Sequence, residues 1–436
     1  MNRALRQRVV AGMGANSVGM AITIGTQLAS LPLFLAVWDT RTYGVWLMIS
    51  ALPAYLSMAD VGMVTAAGNR MTMAMGAGNA ALANRVFQSA QGFVLCVCGA
   101  LALLVLPGIW WSAWPADATA DQRLALMALV AGVLVSFLGG LSEQLFKATH
   151  RYAQGALLGN ATRLAEWAGW MLGLLLSGSF TAVALGGLLC RIAGTLLSMQ
   201  VARHGSHGLA WGLADAAPAV VRQMVRPAAA FMAFPLANAL SLQGVTLLVG
   251  ALLGPVAVAV LNTYRTLART AVQATAILSH ALWPEFARLF GQGALASLRQ
   301  LVGRSTWWGV APSLLLSAAL FALAPWLLRA WTHGEIGFEP WVFGLLMAYA
   351  AVAGLCHVPR VLLMSINRHG PLAVWSLLAS ALCVALVWLL NEPMGLTGAA
   401  TAMLASEALL TGICLRLAWG AIEAPAAAPR GQGVAP

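Results

Sequence analysis

The chain of 436 residues is 60% hydrophobic and only 8% charged, with a formal net charge of +11. Soluble domains average about 25% charged residues, so this composition excludes a soluble enzyme, a disordered protein and a disulfide scaffold. Long apolar runs without an alternating polar period predict an all-α polytopic membrane protein and not a β-barrel. The six cysteines lie within apolar stretches, which indicates small buried hydrophobes instead of metal ligands or disulfides.

Twelve apolar segments follow one another, each close to the ~20 residues that a membrane-spanning helix needs. The segments of the first half cover residues 12–37, 43–67, 87–106, 124–146, 157–176 and 181–199. Those of the second half cover residues 227–253, 256–282, 307–331, 341–364, 372–390 and 395–415. The predicted organisation is an N-terminal six-helix lobe over 1–203, a cytoplasmic linker over 204–226, a C-terminal six-helix lobe over 227–418 and a disordered tail over 419–436.

The basic residues are distributed unevenly across the predicted spans. With the N-terminus inside, 17 of the 24 fall at cytoplasmic ends and loops, and three fall at periplasmic ones. The positive-inside rule therefore predicts that both termini are cytoplasmic. This placement accounts for the basic excess without a nucleic-acid partner. The four remaining basic residues lie at membrane depth: Arg163, Arg191, Arg265 and Arg269.

The two halves show a weak internal repeat. A shift of 216 residues places Gln27 opposite Gln243 and Arg191 opposite Glu407, and with one residue of slippage it places the loop at Gly78 opposite the loop at Gly293. Because each half holds an even number of helices, the repeat predicts two lobes related by a pseudo-twofold axis along the membrane normal. Repeats of this kind place a transported ligand at the interface between the halves.

The eighth segment carries a polar stripe. Asn262, Arg265, Arg269, Gln273 and His280 have spacings that place them on one helical face, over roughly 27 Å of helix. A charged side chain at the membrane centre costs about 2.5–3.5 kcal/mol, which disfavours a lipid-facing position. We expect the stripe to line a polar cavity in which two guanidinium groups bind one anion. Alternatively, each arginine pairs with a buried carboxylate and joins helices.

Milder polar faces occur on the first and seventh segments. Asn16 and Gln27 share a face of the first, and they are predicted to contact sugar or phosphate of a substrate. The seventh segment carries Asn238, Ser241, Gln243 and Thr246, less cleanly on one side. For any single Asn or Gln of these faces, however, hydrogen bonding between helices is the favoured interpretation.

Acidic residues also occur within the predicted spans. Asp60 is interpreted as a counter-ion for the arginine stripe or as a protonatable coupling site, with an interhelical or capping carboxylate as the alternative. Arg163 and Glu166 are three residues apart and are candidates for an ion pair. For these two, Arg191 and Glu407, a structural role is favoured over a role in transport.

Motifs of hydrolases, kinases and P-loop ATPases are absent from the sequence, and no cofactor or metal is predicted. A membrane-embedded glycan polymerase or ligase would need a large periplasmic loop with catalytic groups. The longest predicted periplasmic loop, over 107–123, holds three tryptophans typical of an interfacial belt and only two acids. The chain is therefore expected to be a transporter and not an enzyme.

Three motifs carry a family resemblance. They are Ala59–Met63 after YGVWLMISALPAYL, WPEFARLFGQG at Trp283–Gly293, and GLTGAATA at Gly395–Ala402. Together with the two six-helix halves, they resemble the polysaccharide-exporter or Wzx-type flippases of the multidrug/oligosaccharidyl-lipid/polysaccharide (MOP) exporter superfamily. Asp60, Gly62 and Pro284 match as pattern positions, with no assigned chemistry.

The resemblance implies a bacterial inner-membrane flippase for surface polysaccharide biosynthesis, such as O-antigen or exopolysaccharide. Such a protein moves undecaprenyl-pyrophosphate-linked oligosaccharide to the periplasmic leaflet by alternating access, driven by H⁺ or Na⁺, and works beside the glycan polymerase machinery. Arg265 and Arg269 would then bind the pyrophosphate. The alternative is a multidrug/cation antiporter of the same superfamily, for which a cavity rich in acids and aromatics is expected. The cationic stripe disfavours that alternative.

Overall fold

The computed structural model describes residues 3–57, 62–111, 118–204, 208–366 and 368–423. Within these ranges the chain is helical and contains no β-strand. The helices of the first half are α1 (Arg3–Leu35), α2 (Thr40–Leu56), α3 (Met63–Gly76), α4 (Ala80–Trp111), α5 (Ala120–Ala148), α6 (Tyr152–Ser177) and α7 (Phe180–Arg203). The all-helical prediction is confirmed.

The second half has the same style of architecture with one irregular turn. Its elements are α8 (Pro218–Ala239), a π-helix (Leu240–Gly244), α9 (Val245–Leu253), α10 (Pro255–Ala281), α11 (Trp283–Gly291), α12 (Leu295–Trp331), α13 (Pro340–Ser365) and α14 (Gly370–Glu423). Among the described residues, eight helical stretches are long and apolar enough to cross a membrane. The others predicted as spans are short, like the 17-residue α2, or are less apolar because they contain two charged and several other polar residues, like α6 and α10.

Two predicted spans are interrupted. The segment predicted over 43–67 is not one helix, because α2 ends at Leu56 and α3 begins at Met63, directly after Gly62 with φ +69°. The segment predicted over 227–253 contains the π-helix between α8 and α9. Neither interruption follows from hydropathy, since both lie inside apolar sequence.

Helix α14 is two helices joined at Gly395, where φ is +54° and ψ is −130°. Its 54 residues would extend about 80 Å as one helix, more than twice the hydrocarbon thickness of a bilayer. Arg368, just before its start, donates to the carbonyl of Ala421, near its end, at 3.1 Å. The chain therefore folds back on itself at Gly395, as the separate segments over 372–390 and 395–415 predict.

The helix order of the first half recurs in the second at the predicted register. Shifted by 216 residues, α1 covers α8, the π-helix and α9, and α3 falls on α11. The breaks coincide as well, because Gly178 after α6 corresponds to the neighbourhood of Gly395. The recurrence of every helix supports an internal duplication.

Tryptophans mark the depth at which α12 crosses the membrane. Trp307 and Trp308 are 73% and 77% exposed near one end of its apolar stretch, and Trp326 is 69% exposed near the other. The separation of about 18 residues corresponds to roughly 27 Å along the helix, close to the thickness of the hydrocarbon core. Exposed tryptophans at this spacing are typical of the two interfaces of a bilayer.

The contacts divide the chain into two compact units, Met1–Ala239 and Leu240–Pro436. This boundary lies beyond residue 227, where the second lobe is predicted to begin. The reason is that α8 packs with the first unit, where Arg70 Nη2 of α3 donates to Gln223 Oε1 at 2.8 Å. The π-helix is thus the first element of the second unit.

The predicted linker over 204–226 is anchored to α4 in its described part. Asn84 Nδ2 donates to Asp215 Oδ2 at 2.7 Å, and Asn84 Oδ1 accepts from the amide of Ala210 at 2.8 Å. Gln88 accepts from the amide of Asp215 at 2.6 Å and donates to the carbonyl of Ala210 at 3.1 Å. Gln91 accepts from the amide of Gly212 at 3.2 Å. Side chains of α4 therefore supply hydrogen-bond partners for backbone groups of the segment 210–217, which has no regular secondary structure to pair them.

Candidate substrate-binding site

Helix α10, which belongs to the second unit, has an apolar buried face and a polar face. Leu261, Tyr264, Leu267 and Ala268 are buried on one side, and Tyr264 fixes that side to the α12–α13 loop by accepting from the amide of Glu339 at 2.9 Å. The polar stripe follows a neighbouring face of the same helix. The rigid packing of α10 therefore sets the position of every residue in the stripe.

Arg265 is buried, with only 4% of its surface exposed. Its Nη1 atom donates to the carbonyl of Leu242 at 3.0 Å, and its Nη2 atom donates to Thr246 Oγ1 at 2.7 Å and to Asn262 Oδ1 at 3.1 Å. All three partners are neutral oxygens. No described carboxylate lies within salt-bridge distance of this guanidinium, so the predicted alternative of a buried ion pair is not observed for it.

Two of the three partners of Arg265 lie in the irregular turn and in the first turn of α9 that follows it. Leu242 lies in the π-helix, and its carbonyl also accepts from Thr246 Oγ1 at 2.7 Å. Ser241, in the same turn, shares a hydrogen bond of 2.8 Å with Ser380 of α14. Single turns of π-helix inside α-helices frequently occur at functional sites. Arg265 thus joins α10 to this turn, and Ser241 joins the turn to α14.

Arg269 differs from Arg265 in its environment. It lies one turn further along α10, on the same stripe, and is exposed. Gln273, another turn on, is partly exposed, yet its Oε1 atom is buried and has no hydrogen-bond partner among the described residues. The side chain of His280 lies outside the described residues. The structure therefore brings Asn262 and Arg265 together and leaves Arg269 exposed one turn away.

The predicted residues of α1 lie in the first unit. Asn16 is exposed and its Oδ1 accepts from the hydroxyl of Tyr152 on α6 at 3.0 Å. Gln27 is partly exposed, three turns further along the helix. Ser30 accepts from the indole of Trp167 on α6 at 2.8 Å. Asn16 and Ser30 therefore form hydrogen bonds between helices, as expected from the sequence for single polar residues of this face.

Asp60 lies outside the described residues, so its predicted role as counter-ion or coupling site stays a prediction. The next described residue, Gly62, takes a left-handed conformation before α3. Asp60 thus precedes the start of α3 at Met63 by three residues in the sequence.

Two partly buried charges of the first unit form an ion pair between helices. Glu166 of α6 accepts from Arg191 of α7, with Nε 2.7 Å from Oε1 and a second bond between Nη2 and Oε2. Arg163 is not the partner of Glu166, so the expected i, i+3 pair is wrong. Gly169 and Gly173 let α6 approach α7 closely enough for this bond, because a Cβ atom at either would meet the backbone of α7 within 2.3 Å.

Comparison with known proteins adds the fold to this picture. No protein-family model matches the chain, and no curated protein matches its sequence. Among solved structures, an inward-facing multidrug resistance MATE family transporter of the MOP superfamily matches with a TM-score of 0.77 at 13% identity, covering 94% of this chain and 98% of that one. The chain has the fold of MOP superfamily transporters.

Two further structures agree. The lipid II flippase MurJ, in an inward closed conformation, gives a TM-score of 0.70 at 12% identity, with 92% of this chain and 86% of that one covered. A MOP superfamily transporter from Pyrococcus furiosus gives 0.62 at 11% identity, with 95% of both chains covered. A multidrug transporter and a lipid flippase thus share this fold. The likeness leaves the substrate to be argued from the residues of this chain.

Sequence reasoning missed the partners of Arg265. The decisive acceptor is a backbone carbonyl in a π-helix, which a side-chain pattern does not reveal. The run of small polar residues from Asn238 to Thr246, together with Gly244, is the available signal, because such residues seldom occur inside an apolar span without a bonding role.

Proposed function

We propose that the chain is a flippase for an anionic lipid-linked oligosaccharide of the undecaprenyl-pyrophosphate type. It carries this substrate from the cytoplasmic to the periplasmic leaflet of a bacterial inner membrane by alternating access. The observation that carries the proposal is the positive charge of the α10 stripe, for which the described residues supply no carboxylate within salt-bridge distance. Arg265 is satisfied by neutral oxygens and Arg269 is exposed, so the stripe keeps its positive charge for a ligand.

The two arginines have separate roles in this proposal. Arg269 contacts the pyrophosphate directly, because its side chain is exposed on the stripe. Arg265 holds the π-helix and adds positive potential from one turn away, at a depth where charges are weakly screened. Gln273, whose oxygen has no hydrogen-bond partner among the described residues, and Asn262 on the same helix would contact sugar or phosphate.

The charge of the stripe also bears on the multidrug alternative, which the fold supports equally. A cavity for cationic drugs needs carboxylates or aromatic faces, and two like charges one turn apart oppose the binding of a cation. A lipid-linked pyrophosphate can bind to Arg269 directly and is also attracted by the positive charge of Arg265 one turn away. The charge pattern therefore favours an anionic passenger.

The test uses a host strain that lacks the chain and carries a plasmid copy. Arg269→Gln should reduce surface glycan by at least tenfold while the membrane level of the protein is unchanged. Arg163→Gln is the matched control, because it removes an exposed arginine at membrane depth that is not on the stripe. Normal glycan export by Arg269→Gln, or a defect only in resistance to cationic drugs, would overturn the proposal.

Coupling to an ion gradient is proposed for Asp60. Asp60→Asn should abolish export driven by a proton or sodium gradient while leaving binding of the lipid-linked substrate intact. A variant that exports normally would remove Asp60 from the coupling mechanism without affecting the assignment of the stripe.

A further inference from the structure

A cavity of about 590 Å³ lies in the second unit, away from the α10 stripe. It opens where the end of α13, the start of α14 and the last turns of α14 meet. Its lining combines two cations, Arg368 and Arg416, with apolar groups that include Trp375, Ile413 and Leu417. Two positive charges beside an apolar wall form an amphipathic pocket, which neither a free anion nor a purely apolar ligand would fill.

Arg368 is held in place without being neutralised. Its Nη1 atom donates to the carbonyl of Ala421 at 3.1 Å, and its guanidinium carbon lies 5.3 Å from the centre of the Phe290 ring. Neither partner carries a negative charge. Glu423, the acid closest to Ala421 in the chain, lies 3.9 Å from Arg299 on α12. The pocket therefore keeps a fixed positive charge.

An exposed apolar line runs along α14 from the pocket. Trp375, Leu378 and Leu382 are 42%, 52% and 38% exposed, and their spacing of three and four residues places them on one helical face. This line continues for roughly 10 Å towards the middle of the helix, at the helical rise. It offers acyl chains a surface that starts at the two arginines.

We propose that this pocket binds the headgroup of an anionic phospholipid, with the phosphate between Arg368 and Arg416 and the acyl chains along the exposed line of α14. Basic pockets between helix ends on the cytoplasmic side of membrane proteins bind such headgroups. The predicted orientation places this end of α13 and α14 at the cytoplasmic face. The pocket is separate from the α10 stripe, so the inference does not depend on the identity of the transported substrate.

The test measures lipid retained by the full-length protein in detergent, by native mass spectrometry during titration with cardiolipin, phosphatidylcholine or inorganic phosphate. Arg416→Gln is the primary variant, because Arg416 is exposed and its loss should not disturb packing. We expect saturable cardiolipin binding that Arg416→Gln weakens about fivefold and Arg368→Gln/Arg416→Gln about 25-fold. Arg304→Gln, which removes an exposed arginine of α12 outside the pocket, should leave binding unchanged.

Three results would overturn the proposal. These are equal retention of cardiolipin and phosphatidylcholine, equal losses in Arg304→Gln and Arg416→Gln, and saturable binding of inorganic phosphate that displaces the lipid. Thermal unfolding of each variant controls for misfolding, and Arg368→Lys keeps a cation if Arg368→Gln is unstable. Because no transported substrate is present, a failure here is distinguishable from a failure of the flippase assignment.

Discussion

The Nη2 atom of Arg265 lies 2.7 Å from Oγ1 of Thr246, and the same hydroxyl donates to the carbonyl of Leu242 at 2.7 Å. Since Arg265 Nη1 also donates to Leu242, these groups form a closed set of three hydrogen bonds around the π-helix. A buried guanidinium is stable in an apolar lobe only when its donors find such acceptors. The set therefore ties the folding of the π-helix to the charge at the proposed site.

Removing the hydroxyl should break two of these bonds at nearly constant volume. We expect Thr246→Val to lower the free energy of unfolding by about 1–3 kcal/mol, because it leaves a buried charged donor without an acceptor. Thermal unfolding in detergent measures the effect. Thr263→Val is the matched control, since Thr263 is equally buried and bonds only to the carbonyl of Ala259 in its own helix. Equal losses in both variants would contradict the role given to Thr246.

The two arginines of α10 should respond differently to the same substitution. Arg265→Gln should lower both thermal stability and glycan export, because the guanidinium bonds to three protein oxygens. Arg269→Gln should lower export at nearly unchanged stability, because its side chain is exposed. Unfolding and export measured on the same preparations separate the two effects. A large loss of stability in Arg269→Gln would show that it, too, is structural.

The sequence predicted the stripe of α10 but not its division into a buried and an exposed arginine. Residues three and four apart share a helical face, so periodicity places Arg265 and Arg269 together. Burial depends on neighbouring helices, and the acceptor at Leu242 exists only because the backbone forms a π-helix there. The sequence does not reveal the ion pair either, because the partner of Glu166 is Arg191 on the next helix and not Arg163, which is closer in the sequence.

Helix ends were more predictable than side-chain partners. Glycine accounts for the turn after α6 at Gly178 and the fold-back of α14 at Gly395, both in left-handed backbone. Gly62 also has a positive φ before α3, but the apolar run that continues across it hides this helix end in the sequence. The sequence also contains a signal for the anchoring of the linker. Asn84, Gln88 and Gln91 have spacings of four and three residues, which places them on one face of a largely apolar helix.

The ion pair of the first unit makes its own prediction. Glu166→Gln should lower the free energy of unfolding by about 1–3 kcal/mol, because it removes the charge that Arg191 pairs with between α6 and α7. The double variant Glu166→Leu/Arg191→Met should recover much of this loss, since it removes both charges. Thermal unfolding of the single and double variants in detergent measures both effects. No recovery in the double variant would argue for a role of the pair beyond stability.

The anchoring of the linker can be tested by hydrogen exchange at individual backbone amides. Asn84→Ala removes an acceptor for the amide of Ala210 and a donor to Asp215. Each bond contributes about 0.5–1.5 kcal/mol, so hydrogen exchange over 209–217 should accelerate about tenfold. Gln91→Ala, which removes one longer bond to the amide of Gly212, should have a smaller effect.

Amides within α4 should keep their protection in both variants, because the helix retains its own backbone bonds. If the segment 209–217 exchanges rapidly in the unaltered protein, the linker is not anchored in solution. If Asn84→Ala also lowers glycan export, the anchoring of the linker to α4 is required for the transport cycle. Unchanged export would restrict the role of the anchor to the stability of the first unit.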